Sequence, residues 1–282
     1  MITSALQAEI EREMKRQIAS ISPLSAANNA RIYRLTFADK TVAVAKIAER
    51  SLDIEAFMLT YLKKNSKLPV PTVYYSNEHV IIMDFVETQY SIDANGQSNA
   101  AEVLAELHRI TTKNYGFERD TLVGALRQPN PETPDWRAFF GQHRLIYMAG
   151  EALKEKKIDA KMMKQVEKLV DKLDKYITTP NPPGLVHGDV WGGNLLINKG
   201  RVAAFVDPAI YFADPEIELA FIKSFNTFDD FFFRRYAELN PIKPGFFEER
   251  AELYSLYPLL VHTRLFGLSY ARKAQRILDK FV

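Results

Sequence analysis

The chain has 282 residues, with 37 Lys and Arg against 35 Asp and Glu, 47% hydrophobic and 26% charged residues, and no cysteine. A net charge of +2 offers no basic excess for a nucleic-acid backbone, and no apolar run nears the ~18 residues of a membrane helix. Without cysteine, disulfides, thiolate catalysis and cysteine-ligated zinc or iron–sulfur clusters are excluded. The length suits one large or two medium domains. The charged, amphipathic start shows no secretory signal, and the absence of cysteine makes a reducing cytoplasm the expected home.

Residues 5–20 place Leu6, Ile10, Met14 and Ile18 at four-residue spacing, which predicts a helix. Two β-rich runs, 30–37 and 41–47, flank Ala38-Asp39-Lys40 and read as a hairpin. Residues 51–64 gather Ile54, Phe57, Met58, Tyr61 and Leu62 on one helical face, and Pro69 and Pro71 punctuate the exit. Strands are expected at 73–75 and 80–85. The polar stretch 88–98 reads as a linker, followed by helices over 101–108, 136–156 and 161–177. A Pro-rich break at 179–184 precedes a hairpin, 195–197 with 201–206, around Asn198-Lys199-Gly200. Helices resume from 215 to the end, and no internal repeat is visible. The class is α+β: a small β-rich lobe, 1–86, then a larger, mainly helical lobe, 87–282, with one embedded hairpin.

The stretch LVHGDVWGGNLLINKGRVAAFVD (185–207) carries the chemistry. Phosphoryl transfer from ATP needs a carboxylate for the acceptor hydroxyl and oxygen ligands that hold Mg²⁺ on the phosphates. Kinase catalytic loops supply an Asp, an Asn five positions later, and a second Asp beyond a hairpin. Asp189, Asn194 and Asp207 stand in that order. Each alone would serve as an ordinary turn cap, but turn chemistry does not require the whole ordering with His187 and three glycines. Lys46, in VAVAKIA, matches the kinase phosphate-binding lysine, and alternation sets it on one strand face with Val42 and Val44. Its carboxylate partner is expected to be Glu55, with Glu49 and Asp53 as competitors. Met83, Asp84 and Val86 end the last strand before the linker, where backbone groups of Asp84 and Val86 can meet an adenine edge.

At these residues the chain resembles the fructosamine kinase (ketosamine 3-kinase) family, within the aminoglycoside-phosphotransferase-like, protein-kinase-like fold. HGDVWGGN (187–194) is similar to that family's catalytic loop, and VDPAIYFADPEIELAF (206–221) to its metal-binding segment. YGF (115–117), QPN (128–130), DWRAFFGQHRL (135–145) and ELYSLYPLLVHTRLFGLSY (252–270) match its later pattern. The resemblance implies a two-lobed kinase fold and ATP- and Mg²⁺-dependent phosphorylation of the sugar 3-hydroxyl of ketosamines, whose unstable product eliminates to free the amine. It implies Asp189 as catalytic base, Asn194 and Asp207 as metal ligands, Lys46 with Glu55 on the phosphates, and Trp191 and His262 facing the sugar. Two departures stand out. SPLSAANNARIYRL, between the expected first strands, lacks the family's phosphate-loop glycines, leaving Ala26, Ala27 and Asn28 to offer N–H groups. Asp214-Pro215-Glu216 is closer to the aminoglycoside phosphotransferases.

Two other functions therefore stay open: phosphorylation of an aminoglycoside or other small-molecule hydroxyl, and a nucleotide-binding pseudokinase. His187 is expected to support the loop by hydrogen bonding, and His108 to cap the end of its helix. His79 and His143 have no spaced partner for a metal. Phe231 to Phe233 are expected to pack within the helical lobe.

Overall fold

The computed structural model describes residues 2–27, 30–89 and 91–282. Helix α1 (Ser4–Met14) precedes β1 (Ile18–Ala27), β2 (Ala30–Phe37), β3 (Val42–Ala48), β4 (Val73–Asn77) and β5 (Val80–Asp84), with α2 (Asp53–Asn65) between β3 and β4. The five strands form one antiparallel sheet in the order β1-β2-β3-β5-β4. Strand alternation gives this sheet two buried faces. Leu35, Phe37, Ala43, Ala45, Val80 and Ile82 pack with Ile10 of α1 on the outer one. Val44, Ala48, Ile81 and Met83 point the other way, into a core continuous with the helical lobe. Lys46 lies on β3 in alternation with Val44 and Ala48, and so faces the second lobe.

That lobe begins with α3 (Ala94–His108) and the small hairpin β6 (Thr121–Val123) and β7 (Leu126–Gln128). Helix α4 (Trp136–Phe139) runs through a π-helical stretch (Phe140–Ile146) into α5 (Tyr147–Lys154), followed by α6 (Ala160–Val170) and α7 (Leu173–Tyr176). Strands β8 (Gly184–Val186), β9 (Leu195–Asn198), β10 (Arg201–Phe205) and β11 (Tyr211–Ala213) form two antiparallel ribbons, β8 with β11 and β9 with β10. Asp189 and Asn194 lie between β8 and β9, so both ends of their loop are pinned. Helices α8 (Glu216–Ser224), α9 (Asp230–Leu239), α10 (Ala251–Phe266) and α11 (Leu268–Phe281) complete the chain. Among the described residues, no helix is long and apolar enough to cross a membrane.

Several elements differ from the sequence expectation. Helix α1 stops at Met14, because Lys15 adopts a left-handed φ of 54° and its N–H turns back to the Arg12 carbonyl. Ile18, the fourth residue of the apolar spacing, belongs to β1, its N–H bonded to the Glu11 carboxylate at 2.9 Å. The glycine-free stretch expected as a loop lies largely within β1, which pairs with β2 up to Ala27 opposite Ala30. Asn28, one of its candidate N–H donors, lies outside the described residues. Helix α3 starts inside the expected linker, since the Asp93 carboxylate accepts the Gly96 N–H at 2.7 Å and caps it there. The helix expected over 161–177 breaks between α6 and α7. In the Phe231 to Phe233 run, Phe232 and Phe233 are buried, but Phe231 is 47% exposed.

Candidate active site

The sheet and the pinned loop bring together groups far apart in sequence. Lys46 Nζ sits 2.5 Å from Glu55 Oε1 and 2.6 Å from Asp207 Oδ1. Glu55 lies in the first turn of α2, facing β3, while exposed Glu49 and Asp53, hydrogen-bonded to the Ser51 hydroxyl, do not compete. Arg50 adds a second cation, 3.2 Å from Glu55 Oε2. Burial opposes a charge on Lys46, but the two carboxylates outweigh it and hold its pKa above the ordinary lysine value. Burial likewise opposes ionisation of Asp207, and Lys46 reverses this, keeping it below the usual carboxylate range. Asp207 carries a left-handed φ of 52°, a conformation that Asp tolerates better than most residues.

Asn194 reaches back across its turn and donates its amide to Asp189, 2.8 Å to Oδ2 and 2.9 Å to the main-chain oxygen. The five-residue spacing thus closes a ring that fixes the Asp189 carboxylate. Burial, with the Asp207 and Glu218 charges nearby, pushes Asp189 up to about 7, although the Asn194 hydrogen bond pulls the other way. Asn194 Oδ1 and Asp207 Oδ2 have no hydrogen-bond partner among the described residues. Two free hard oxygens suit Mg²⁺, which is commonly held by one or two protein groups and completed by phosphate and water. Among the described residues there is no group of three or more His, Asp or Glu placed to hold a metal.

The loop rests on a residue the sequence reading did not single out. Glu218 Oε1 accepts the Gly188 N–H at 2.6 Å, and Oε2 accepts the His187 N–H at 3.3 Å. Gly188 has φ 85° and a Cβ there would lie 2.2 Å from the Ala209 carbonyl, so only glycine lets this amide reach Glu218. The same carboxylate takes Nε2 of His108 at 2.8 Å, whose Nδ1 meets the Tyr236 hydroxyl at 2.6 Å. His108 therefore braces Glu218 instead of capping its own helix, because Glu218 of α8 and Tyr236 of α9 meet its two ring nitrogens. Despite complete burial, which opposes it, the His108 and Gly188 hydrogen bonds keep Glu218 below the ordinary range. His187 accepts the Asp189 N–H on Nδ1 at 3.3 Å, and burial pushes it down to about 4, so it stays neutral near pH 7. Its expected supporting position is the observed one. Glu218→Gln places an amide donor against donors that want an acceptor. The expected result is a lower melting temperature and a kcat loss of about tenfold, since hydrogen bonds to a charged group contribute roughly 1.5–3 kcal/mol. Thermal melts and saturating-substrate rates would check it, and an unchanged kcat in the folded variant would make Glu218 purely a packing group.

Trp191 and His262 are not brought together. Trp191 is 44% exposed, and its indole closes on Gly193, where an added Cβ would fall 2.3 Å from the ring. His262, half-buried on α10, donates Nδ1 to the Pro258 carbonyl and stands among the rings of Phe225 and Tyr270. It shares a small cavity of about 20 Å³ with Asp189, Tyr211, Phe221 and Tyr257, and Trp191 does not line it. At the end of β5, the Asp84 N–H already bonds the Thr72 carbonyl at 3.0 Å, and its carboxylate takes the Thr72 N–H and the Tyr74 hydroxyl. Met83 is buried, and the Val86 backbone has no hydrogen-bond partner among the described residues.

Comparison with known proteins identifies the family and the fold. The family model described as fructosamine kinase matches residues 2–282. A probable ketoamine kinase of Vibrio parahaemolyticus is 30% identical over 236 residues, 82% of this chain and 80% of that protein. A chloroplastic protein-ribulosamine 3-kinase of Oryza sativa is 30% identical over 245 residues, covering 84% and 70%. A crystal structure named as a candidate fructosamine-3-kinase of Thermobifida fusca superposes with a TM-score of 0.88 at 26% identity, over 98% of this chain and 99% of that one. An ADP-bound aminoglycoside phosphotransferase shares the fold at a TM-score of 0.65 and 18% identity, over 98% and 96%.

Proposed function

The chain belongs to the fructosamine kinase family, and from that membership we propose that it is an ATP-dependent kinase that phosphorylates the sugar 3-hydroxyl of ketosamines, such as fructosyl- and ribulosyl-amines. The 3-phosphate product loses inorganic phosphate by elimination, and water then hydrolyses the remaining sugar–amine linkage to free the amine, so the activity amounts to deglycation. The observation that carries the reading is Lys46 paired to both Glu55 and Asp207, across 161 residues of sequence, beside the Asp189–Asn194 ring. The Asp189–Asn194 ring is the part that supports an active kinase over a nucleotide-binding pseudokinase, which would use Lys46 for its phosphates but needs no carboxylate at the acceptor hydroxyl.

In this reading residues 1–86 form the ATP-binding lobe and 87–282 the catalytic and substrate-binding lobe. Lys46, set by Glu55, meets the ATP phosphates, and the Val86 backbone meets the base. Asn194 and Asp207 would hold Mg²⁺, which would supply charge neutralisation on the phosphates. Asp189 orients the acceptor hydroxyl and receives its proton, so catalysis is largely positioning and electrostatics. The setting proposed is the cytoplasm. The test is ATP consumption with fructosyl-lysine and ribulosyl-lysine against an aminoglycoside and an amino alcohol. Turnover of the last two alone would overturn the substrate class.

Trp191 would supply an aromatic face for the sugar ring. Its exposure predicts that Trp191→Ala keeps the wild-type melting temperature, raises KM for the ketosamine and leaves KM for ATP nearly unchanged. Paired Michaelis constants would check this; a shift in the ATP constant alone would remove Trp191 from the sugar side.

A further inference from the structure

The sheet register places one more cation over the cleft. Across the antiparallel strands, Arg34 pairs with Val44, and Val44 with Met83. Directly paired residues share a face, so Arg34 stands on the Lys46 side of the sheet, with Val44 and Met83, whose side chains join the inter-lobe core. Ile32 pairs with Lys46 in the same way. Arg34 is therefore one same-face step, about 7 Å, from the row of Lys46, in the direction of the lobe connection. Its guanidinium lies 4.9 Å from the centroid of the Phe85 ring, the residue between Asp84 and Val86. Arg34 is exposed, and among the described residues it has no ion pair and no side-chain hydrogen bond. A planar cation thus hangs over the cleft between the phosphate lysine and the free backbone of Val86.

We infer that Arg34 is a nucleotide-base clamp: its guanidinium stacks on the purine of ATP seated against Val86, closing the cleft from the sheet side. The inference rests on the kinase reading above. A guanidinium suits the role because it is flat, permanently charged and weakly hydrated, and it stacks readily on aromatic faces. Its position is over the base and away from the transferring phosphate, so the contact is equal in ground and transition states and affects binding, not the chemical step.

The experiment is calorimetric titration of adenosine, ADP and ATP into the full chain, as wild type, Arg34→Ala and Arg34→Gln, with kcat measured at saturating ATP. Arg34→Ala is expected to weaken all three ligands by a common factor of roughly 3 to 30, with kcat nearly unchanged. Arg34→Gln keeps a flat but neutral group and is expected to fall between the two; it is the variant to read should Arg34→Ala fail to fold. A loss for ATP and ADP with adenosine unaffected would make Arg34 a phosphate contact and overturn the inference. Unchanged affinity for all three would overturn it as well, leaving a surface contact with Phe85. A wild type that binds ATP while either result holds leaves the kinase reading standing. One that binds neither ATP nor adenosine overturns both.

Discussion

Asp189→Ala is expected to lower kcat by roughly 10²–10⁴, the range general-base and positioning groups contribute, while ATP still binds. Asp189 is held by two hydrogen bonds from Asn194 and lines the cavity that His262 also borders. Removing its carboxylate leaves the acceptor hydroxyl without a proton acceptor but leaves Lys46, Glu55 and Asp207 in place. Single-turnover rates with a ketosamine, beside ATP titration, would measure this. Retention of more than about a tenth of wild-type kcat, far above what loss of a general base leaves, would take Asp189 out of the role. The same residue has a stability consequence. Its pKa is pushed up to about 7 in the folded protein from an ordinary value of 3.8, so ionisation disfavours the native state. The penalty is absent below pH ~4, grows as pH rises, and is complete above about 7. Asp189→Asn is therefore expected to melt higher than wild type at pH 8, with the gap closing toward pH 4. Equal melting temperatures at both pH values would show that the carboxylate is not disfavoured by its surroundings.

Asp207→Asn is the second large effect. Asparagine keeps the shape and tolerates the left-handed backbone, so the fold should survive while the charge is lost. Lys46 then keeps Glu55 as a partner but loses the carboxylate that links it to the helical lobe. A divalent cation loses its anionic oxygen ligand, and the developing phosphate charge loses its compensation. The expected outcome is a kcat loss on the order of 10²–10³ and a higher Mg²⁺ requirement for ATP binding. Rates and nucleotide affinity across a Mg²⁺ titration would decide it. If neither changed, Asp207 would be only the structural partner of Lys46.

The site was readable where chemistry follows linear spacing. Asp189 and Asn194 are bonded across their five-residue turn, Lys46 meets Glu55 as expected of a strand followed by a helix, and the β9–β10 hairpin brings Asp207 back. What sequence could not disclose is contact between distant segments. Glu218 reads as one acidic residue among several in ADPEIELAF, and only the packing of α3, α8 and the loop makes it the acceptor for Gly188, His187 and His108. The PEIE spacing after Asp214, which buries three carboxylates in one short run, was the signal available. In the fold, apolar spacing identified α1 and α2, but Ile18 continued the helical period of α1 past the point where Lys15 ends it. Strand β1 was lost for that reason. The short pairs β6–β7 and β8–β11 span three residues each, too few for any period to register.

The apolar core that runs from the inner face of the sheet into the helical lobe has a consequence for how the molecule comes apart. Val44, Ile81 and Met83 share one cluster with Leu104, Phe205 and Leu256, and the Phe205 N–H bonds the Pro69 carbonyl. Neither lobe can open fully without wetting that shared surface. Denaturant unfolding should therefore be a single cooperative event, with probes in either lobe reporting the same midpoint. An excised sheet unit would carry a raw apolar face and tend to self-associate, so the lobes are not interchangeable modules for recombination with other kinases.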